Sequence, residues 1–484
     1  MVSTVFFLAC SKPATLIYVL ISAGTVYFAT ERISKDRDNK YHKQIVILTI
    51  LVNAGILAVL KYSNLGIHTL NFLFGNIEGY PILQDLHWVA PLGISYYTLQ
   101  MIAYLLDCYW GTAEPFHDPL KMLLYTIYFP QMISGPISRF EDIGRQLFEE
   151  HKFEYDRVVG GVRRIAWGLI KKLVIANKLM LFVNHMYDNT GIYNGIWIWI
   201  ATMIWVVELY ADFSGCMDIV LGASACFGIK LPENFRTPFF SLTIQEFWRR
   251  WHITLGTWLR DYIMNPILRT GFCYNLGKKA KKRFGKKQGK KIPVYFAMLI
   301  LWLVMGLWHG NSWKYIVGEG LWFWLVIAAG QVLEEPLSKL VRVLHIPTDS
   351  IGWRTFQRIR TFLIFTVGQL FFRADSLMDS FDRIRISILY FAKSISPAHI
   401  SFVLDDFRNS DIVWKMGQRP GEIAFVLSML MLIYVEIQNN RGVDVQLKLK
   451  ALPTPARWIL YYGAVFLIFI SFNAENVQFA YAQF

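Results

Sequence analysis

"IVILTILVNAGILAVL", residues 45–60, decides the fold class. It carries no charge and approaches the roughly 20 apolar residues that a helix needs to cross a bilayer. Comparable blocks recur along the 484 residues: "IYVLISAGTVYFA" (17–29), "IWIWIATMIWVVELYA" (196–211), "YFAMLILWLVMGLW" (295–308), "LWFWLVIAAG" (321–330), "FLIFTVGQLFF" (362–372), "IAFVLSMLMLIYV" (423–435) and "WILYYGAVFLIFISF" (458–472). Hydrophobic residues make up 54% of the chain and charged residues 17%, where a soluble chain carries about 25%. The pattern predicts an all-α, multi-pass integral membrane protein, with the lipid bilayer as its first partner. It disfavours a soluble enzyme with very apolar buried helices.

The net charge of +14 does not point to nucleic acid. The basic residues cluster in a few connections between apolar blocks, as in cytoplasmic loops of membrane proteins. "RISKDRDNKYHK" (32–43), the loop 269–291 with ten Lys or Arg and no acid, 335–360 and 438–457 are the four clusters. With all four in the cytoplasm, spans at 293–309, 315–333, 361–373, 422–437 and 458–473 alternate without conflict. The C-terminus, ending "FAYAQF", then lies outside the cell membrane. The polar region 374–421 reads as an outer loop with short helical pieces, and no domain boundary divides 1–484. The five cysteines show neither a C-x-x-C pair nor zinc spacing, so no metal site is expected. No cleavable signal peptide is evident, because Lys12 and Pro13 interrupt the first apolar run.

"LYTIYFPQMISGPI" (124–137) is broken by two prolines and a glycine. Such a segment tolerates membrane depth only where protein covers it or it lines a cavity.

Three polar spots interrupt the grease. "EFWRRWHITLGTWLRDYI" (246–263), read as one helix, puts Phe247, Trp248, Trp251, Leu255, Trp258, Leu259 and Tyr262 on one face. Arg249, Arg250, Thr254, Thr257, Arg260 and Asp261 fall on the other, with His252 at the seam. Arginine opposite tryptophan suits a helix lying in the membrane interface. It equally suits a helix whose polar face lines a water-filled chamber, since intramembrane charge usually marks a pathway or a site. The second spot, "VMGLWHGNSWKY" (304–315), sets His309 about 24 Å along a span that begins near Pro293. A histidine there is either a proton acceptor near neutral pH or an interfacial helix end. Third, Asp212, Ser214 and Asp218 notch the apolar run 210–235, as a re-entrant turn or as polar contacts between helices.

Together these stretches resemble the membrane-bound O-acyltransferase (MBOAT) family. The resemblance is nearer to its alginate and cell-wall or exopolysaccharide O-acetylation branch, and more distant to the D-alanyl transfer protein of teichoic acid synthesis. It rests on "PLGISYYTLQMIAYLLDCYWG" (91–111), "YFPQMISGPISRF" (128–140), "LYADFSGCMDIVLG" (209–222), "LPENFRTPFFSLTIQEFWRRWHITLGTWLRDYI" (231–263), "GLWHGNSW" (306–313) and "LFFRADS" (370–376), in the family order. These cover most of a motif core at about 88–376. The resemblance implies an MBOAT-type helical bundle with a central tunnel and re-entrant or interfacial helices. It implies His309 as catalytic base and a tunnel bordered by Arg249, Arg250 and His252. Asp261, Asn311, Asp212 and Glu319 join the lining candidates on their place in the sequence, and Asn311 and Ser312 are near enough to His309 in sequence to serve as oxyanion donors.

Many relatives carry a second histidine about 13 residues beyond the first. Trp322 stands there in this chain, and Glu319 is the nearest titratable side chain. The resemblance also implies one or two further apolar segments before the equivalent of residue 1. It implies transfer of an acyl group from an acyl-CoA, acetyl-CoA being the expected donor, toward hydroxyls of an extracytoplasmic polysaccharide. No bound cofactor is expected. An extracytoplasmic SGNH-type acyltransferase is the expected partner, and the basic segment 269–291 either attracts the donor's phosphates or only sets orientation. The competing classes are a transporter or flippase, and a scaffold of a polymer-export complex, each without chemistry of its own.

Overall fold

In lipid every backbone polar group must be satisfied within its own segment, so apolar runs of this length become helices. The computed structural model describes residues 14–36, 40–74, 83–88, 93–132, 135–415 and 418–471. The helices used below are α1 (Ala14–Lys35), α2 (His42–Phe74), α3 (Ile94–Trp110), α4 (Pro119–Thr126), α5 (Tyr155–Leu169) and α6 (Asn177–Asp188). They continue with α7 (Ile196–Cys226), α8 (Ile244–Trp248), α9 (Ile253–Leu259), α10 (Gly271–Gly289) and α11 (Ile292–His309). The rest are α12 (Trp322–Val343), α13 (Ile351–Arg373), α14 (Leu377–Leu389), α15 (Pro397–Asn409), α16 (Gln418–Asn440) and α17 (Thr454–Ser471).

Among the described residues, seven helices are long and apolar enough to cross a membrane: Leu16–Lys35, His42–Phe74, Ile196–Cys226, Ile292–His309, Trp313–Val343, Arg419–Asn440 and Thr454–Ser471. The expected all-α membrane architecture is therefore what forms. α13 is not one of the seven, because Arg354, Arg358 and Arg360 populate its first half. The terminal "FAYAQF" lies outside the described residues.

α5 and α7 cross in close antiparallel contact through glycines seven residues apart. A Cβ on Gly168 would come 2.5 Å from the Gly215 carbonyl, and one on Gly222 would come 2.5 Å from the Gly161 carbonyl. Small residues permit this approach, which is how helices gain packing where lipid removes the hydrophobic drive. The polar notches of α7 sit beside this seam. Arg164 donates to Asp218 at 2.9 Å, Lys171 lies 2.5 Å from Asp218 and Lys172 lies 2.5 Å from Asp212. Lys171 also donates to Ser214 at 2.9 Å. The notches are polar contacts between helices, and α7 runs through them without a re-entrant turn.

The proline-broken segment is covered by protein, as its sequence requires, with Tyr125, Thr126, Gln131, Met132 and Ser138 buried. α4 ends at Thr126, a short helical turn spans Phe129–Met132, and residues 135–139 form no regular element. A buried amide and hydroxyl chain satisfies it. Gln100 donates to the Tyr125 carbonyl at 3.0 Å, Gln131 donates to Gln100 at 3.3 Å, and Ser138 donates to Gln131 at 2.9 Å.

Two expectations need correction. The stretch 246–263 is not one helix. α8 stops at Trp248, Trp251 forms an isolated antiparallel bridge with Phe235, and α9 starts only at Ile253. Hydrogen bonds from Arg236 N to the Arg250 carbonyl (2.9 Å) and from Ile253 N to the Asn234 carbonyl (3.0 Å) replace helical ones. The basic segment 269–291 is largely helical rather than a loop. Thr270 caps it through Cys273 N, and Gly285 kinks it at φ 75°.

The region after α13 is helical in pieces, as its sequence implies. α15 is docked to α6 and its following turn by Asp406, which lies 2.7 Å from His185 Nε2 and accepts from the Tyr193 hydroxyl at 2.6 Å. α14 is docked to α6 by Arg383, which donates to the Tyr187 carbonyl at 3.3 Å.

Candidate active site

The end of α11 builds the first half of the site. Gly310 is extended, so the helix stops at His309. Ser312 then caps the following short helix by accepting from Lys314 N. The turn is tight because glycine allows it: a Cβ on Gly306 would come 2.6 Å from the Tyr315 carbonyl oxygen. His309 is buried, with its ring edge-to-face against Trp308 (centroids 5.1 Å apart) and against Phe372 (5.4 Å). Phe372 lies in the last turn of α13. Lys314 fixes that turn by donating to the carbonyls of Phe372 (3.1 Å) and Ala374 (2.5 Å).

The second half comes from the break that sequence reading missed. His252 caps α9 in the left-handed region, at φ 47° and ψ 51°. Histidine is one of the few side chains enriched there. Its ring packs edge-on against Phe213 (4.9 Å) and Trp308 (5.4 Å). Its Nδ1 lies 3.4 Å from Asn234 Oδ1. The same oxygen accepts from Thr254 N and from the Thr254 hydroxyl, both at 3.0 Å, so Asn234 fixes the start of α9 and the imidazole together. Burial holds the His252 imidazole far below its ordinary 6.5, at about 3, so it is neutral at physiological pH. Two histidines from separate segments thus pack against one buried indole.

The remaining candidates are scattered. Arg250 is half-buried and paired with Glu246 at 2.5 Å, whereas Arg249 is exposed and, among the described residues, donates only to the Gln245 carbonyl at 3.2 Å. Asp261 meets neither: it lies 2.5 Å from Arg139 and 3.0 Å from Arg260. Asn311 is exposed. Asp212 belongs to the ion pairs between α7 and the π-helical turn Ile170–Ala176 that precedes α6. Glu319 is buried in the turn before α12, where its carboxylate accepts from Gln369 at 2.6 Å. The Trp322 indole, where the family resemblance implies a second histidine, donates to the Ile364 carbonyl at 3.0 Å.

Three side chains at the site were missed. Lys61 donates to the Trp308 carbonyl at 2.5 Å. Tyr96 packs edge-on against Trp308 at 5.5 Å, and its buried hydroxyl has no hydrogen-bond partner among the described residues. Asn234 is the third. Lys61 and Asn234 each had a signal, a charge inside the apolar run of α2 and a polar residue in "LPENF". Tyr96 had none beyond its place in a quoted motif.

Residues 116–277 match the model of the membrane-bound O-acyltransferase family. The chain carries an MBOAT domain. The matched region contains Asn234 and His252 and ends before His309. The chain is 31% identical to the probable alginate O-acetylase of Pseudomonas aeruginosa over 332 residues, which is 69% of this chain and 58% of that protein. It is 27% identical to the peptidoglycan O-acetyltransferase of Helicobacter pylori over 422 residues, 81% of this chain and 74% of that one. It is 31% identical to the teichoic acid D-alanyltransferase of Bacillus subtilis over 239 residues, 47% and 56% of the two chains. The match spans about three-fifths of the length of the alginate O-acetylases.

Proposed function

We propose that this MBOAT chain is a membrane O-acyltransferase that moves an acyl group, acetyl in the first instance, from a cytoplasmic thioester such as acetyl-CoA toward hydroxyls of an extracytoplasmic polysaccharide or cell-wall polymer. The observation that carries the reading is the pair His252 and His309, both packed against buried Trp308 at the end of an apolar span. The kinship with polymer O-acetylases supplies the acceptor class.

In this mechanism His309 takes the proton of the acceptor hydroxyl as general base. The oxygen attacks the thioester carbonyl and forms a tetrahedral oxyanion. The carbon–sulfur bond then breaks, the thiolate leaves and takes the proton from His309, and ester plus thiol result. The Tyr96 hydroxyl is the donor we assign to the oxyanion, because it is buried beside Trp308 and free to donate among the described residues. Ser312 is less suited, since its oxygen already accepts from Lys314 N. His252, held by Asn234, acts as a neutral wall and orienting group. The aromatic packing around both imidazoles excludes water and so limits hydrolysis of the thioester.

In this reading α10 lies at the cytoplasmic face, where its lysines attract the donor's phosphates, and the C-terminus at the outer face. An SGNH-type protein outside the membrane would pass the group to the polymer. The test is turnover of labelled acetyl-CoA by the purified chain in lipid discs, as transfer or hydrolysis. His309-dependent turnover supports the reading. Folded protein that never consumes the thioester, but moves a polymer or a lipid-linked sugar, overturns it in favour of a transporter.

A further inference from the structure

Lys61 is a charge within a helix that otherwise reads as lipid-loving. α2 contains an 18-residue window of mean hydropathy 2.2, and a lysine within a membrane span costs several kcal/mol unless it reaches a partner or the interface. Among the described residues no carboxylate pairs with it. Its ammonium reaches instead to the carbonyl of Trp308, at 2.5 Å, and lies 5.8 Å from the centroid of the Trp308 ring. The heights agree. Lys61 lies about 28 Å along α2 from His42, and His309 about 26 Å along α11 from Ile292.

The Trp308 carbonyl is one of the last four of α11. Those carbonyls have no further helical turn to accept from, since Gly310 leaves the helix extended. A cation at a helix C-terminus both satisfies such a carbonyl and opposes the negative end of the helix dipole. Eight residues further along α2, the Thr69 hydroxyl accepts from the Trp313 indole at 2.8 Å. α2 therefore grips the turn 308–313 on both sides of His309. On the opposite wall Lys314 does the same for the end of α13, whose Phe372 faces His309.

We propose that Lys61 is a positioning residue for the acyl-transfer reaction. It holds the last turn of α11 through Trp308 and so sets the direction of the His309 imidazole. The inference rests on the reading of His309 as base. The ammonium does not touch the reacting atoms in this proposal; it acts through the helix end. A neutral side chain of similar length would leave that end free to unwind by a fraction of a turn.

The experiment is a double-mutant cycle on the full chain in lipid discs, with labelled acetyl-CoA turnover as readout. Lys61→Met should lower kcat about 10²-fold, the scale of a misplacement of about 1 Å at a reacting group. The KM for acetyl-CoA should change by less than about twofold, and Lys61→Arg should recover most of the loss. In a His309→Gln background Lys61→Met should cause no further loss, because the group it positions is gone. The same fold loss in both backgrounds means a general structural role and overturns the proposal. Wild-type kcat in Lys61→Met, with His309→Gln inactive, overturns it while leaving the base assignment standing. Wild-type turnover in His309→Gln overturns both. If Lys61→Met does not yield monodisperse protein, Lys61→Gln, which keeps one neutral donor, is held to the same criteria.

Discussion

His252 meets the Trp308 indole edge-on, with ring centroids 5.4 Å apart and planes at 66°. The contact requires a backbone that side chains other than glycine seldom adopt, φ 47°. Left-handed geometry costs on the order of 1–2 kcal/mol for a residue with a Cβ. Asn234 and the short pairing of 234–236 with 250–253 hold it there. Strain retained beside the buried Trp308–His309 pair fits a site more readily than a surface anchor.

The first prediction follows from the burial of that ring. In the folded protein the His252 imidazole protonates near pH 3, in the unfolded chain near its ordinary 6.5. Its contribution to stability is therefore complete above about pH 6.5 and is lost as pH falls toward 3, at about 1.4 kcal/mol per unit. His252→Asn removes the titration and tolerates the left-handed backbone. The melting temperature in detergent should drop less between about pH 7 and pH 5 in His252→Asn than in the wild type. Equal drops would show that His252 is not held neutral by burial.

The architecture was legible because apolar runs in lipid have one outcome, a helix, and need no distant partner to specify it. His309 was legible for the same reason: its position follows from counting along a span. The break at 249–252 was not. The apolar face drawn through 246–263 is buried in fact, with Phe247, Trp251, Leu255, Trp258, Leu259 and Tyr262 all inside. Yet two pieces bury it rather than one, because residues 234–236 supply the hydrogen bonds that a continuous helix would have made. That competition comes from across the fold and leaves no local trace. Arg250 and Asp261 share a face on paper and pair with different partners in space, for the same reason.

Arg249 and Arg250 should part company. Arg250 is half-buried and pairs with Glu246 at 2.5 Å, so Arg250→Ala leaves a partly enclosed carboxylate unopposed. Surface pairs contribute about 0–1 kcal/mol and buried ones more when one partner is removed, so a loss of about 1 kcal/mol and reduced membrane abundance are expected. Arg249→Ala should accumulate normally, since among the described residues its side chain bonds only to a backbone carbonyl. Quantifying both variants in isolated membranes decides the matter; an equal loss would mean that the two arginines serve a common site.

Tyr96→Phe tests the assignment of the oxyanion donor. The ring would still pack on Trp308, so folding and acetyl-CoA affinity should persist. Removing one preorganised donor typically lowers kcat by about 10²–10³-fold. Stopped turnover assays with saturating acetyl-CoA give kcat directly. An unchanged kcat would leave the buried hydroxyl without a catalytic role.

His309→Gln carries the most weight. Glutamine keeps much of the size and one hydrogen-bond donor of the imidazole, so the packing against Trp308 and Phe372 should survive. It cannot accept the hydroxyl proton as a base. General-base catalysis contributes about 10²–10⁴-fold, and acyl transfer should fall by that factor. Acetyl-CoA binding and the detergent-solubilised size should hold, because the loss falls on the chemical step. His252→Gln should reduce turnover less, since the role proposed for His252 is to orient and wall the site rather than to carry the proton. A His309→Gln variant with more than about half the wild-type turnover at saturating donor would remove the base from the mechanism. The two-histidine site would then have to be read as packing around Trp308 and nothing more.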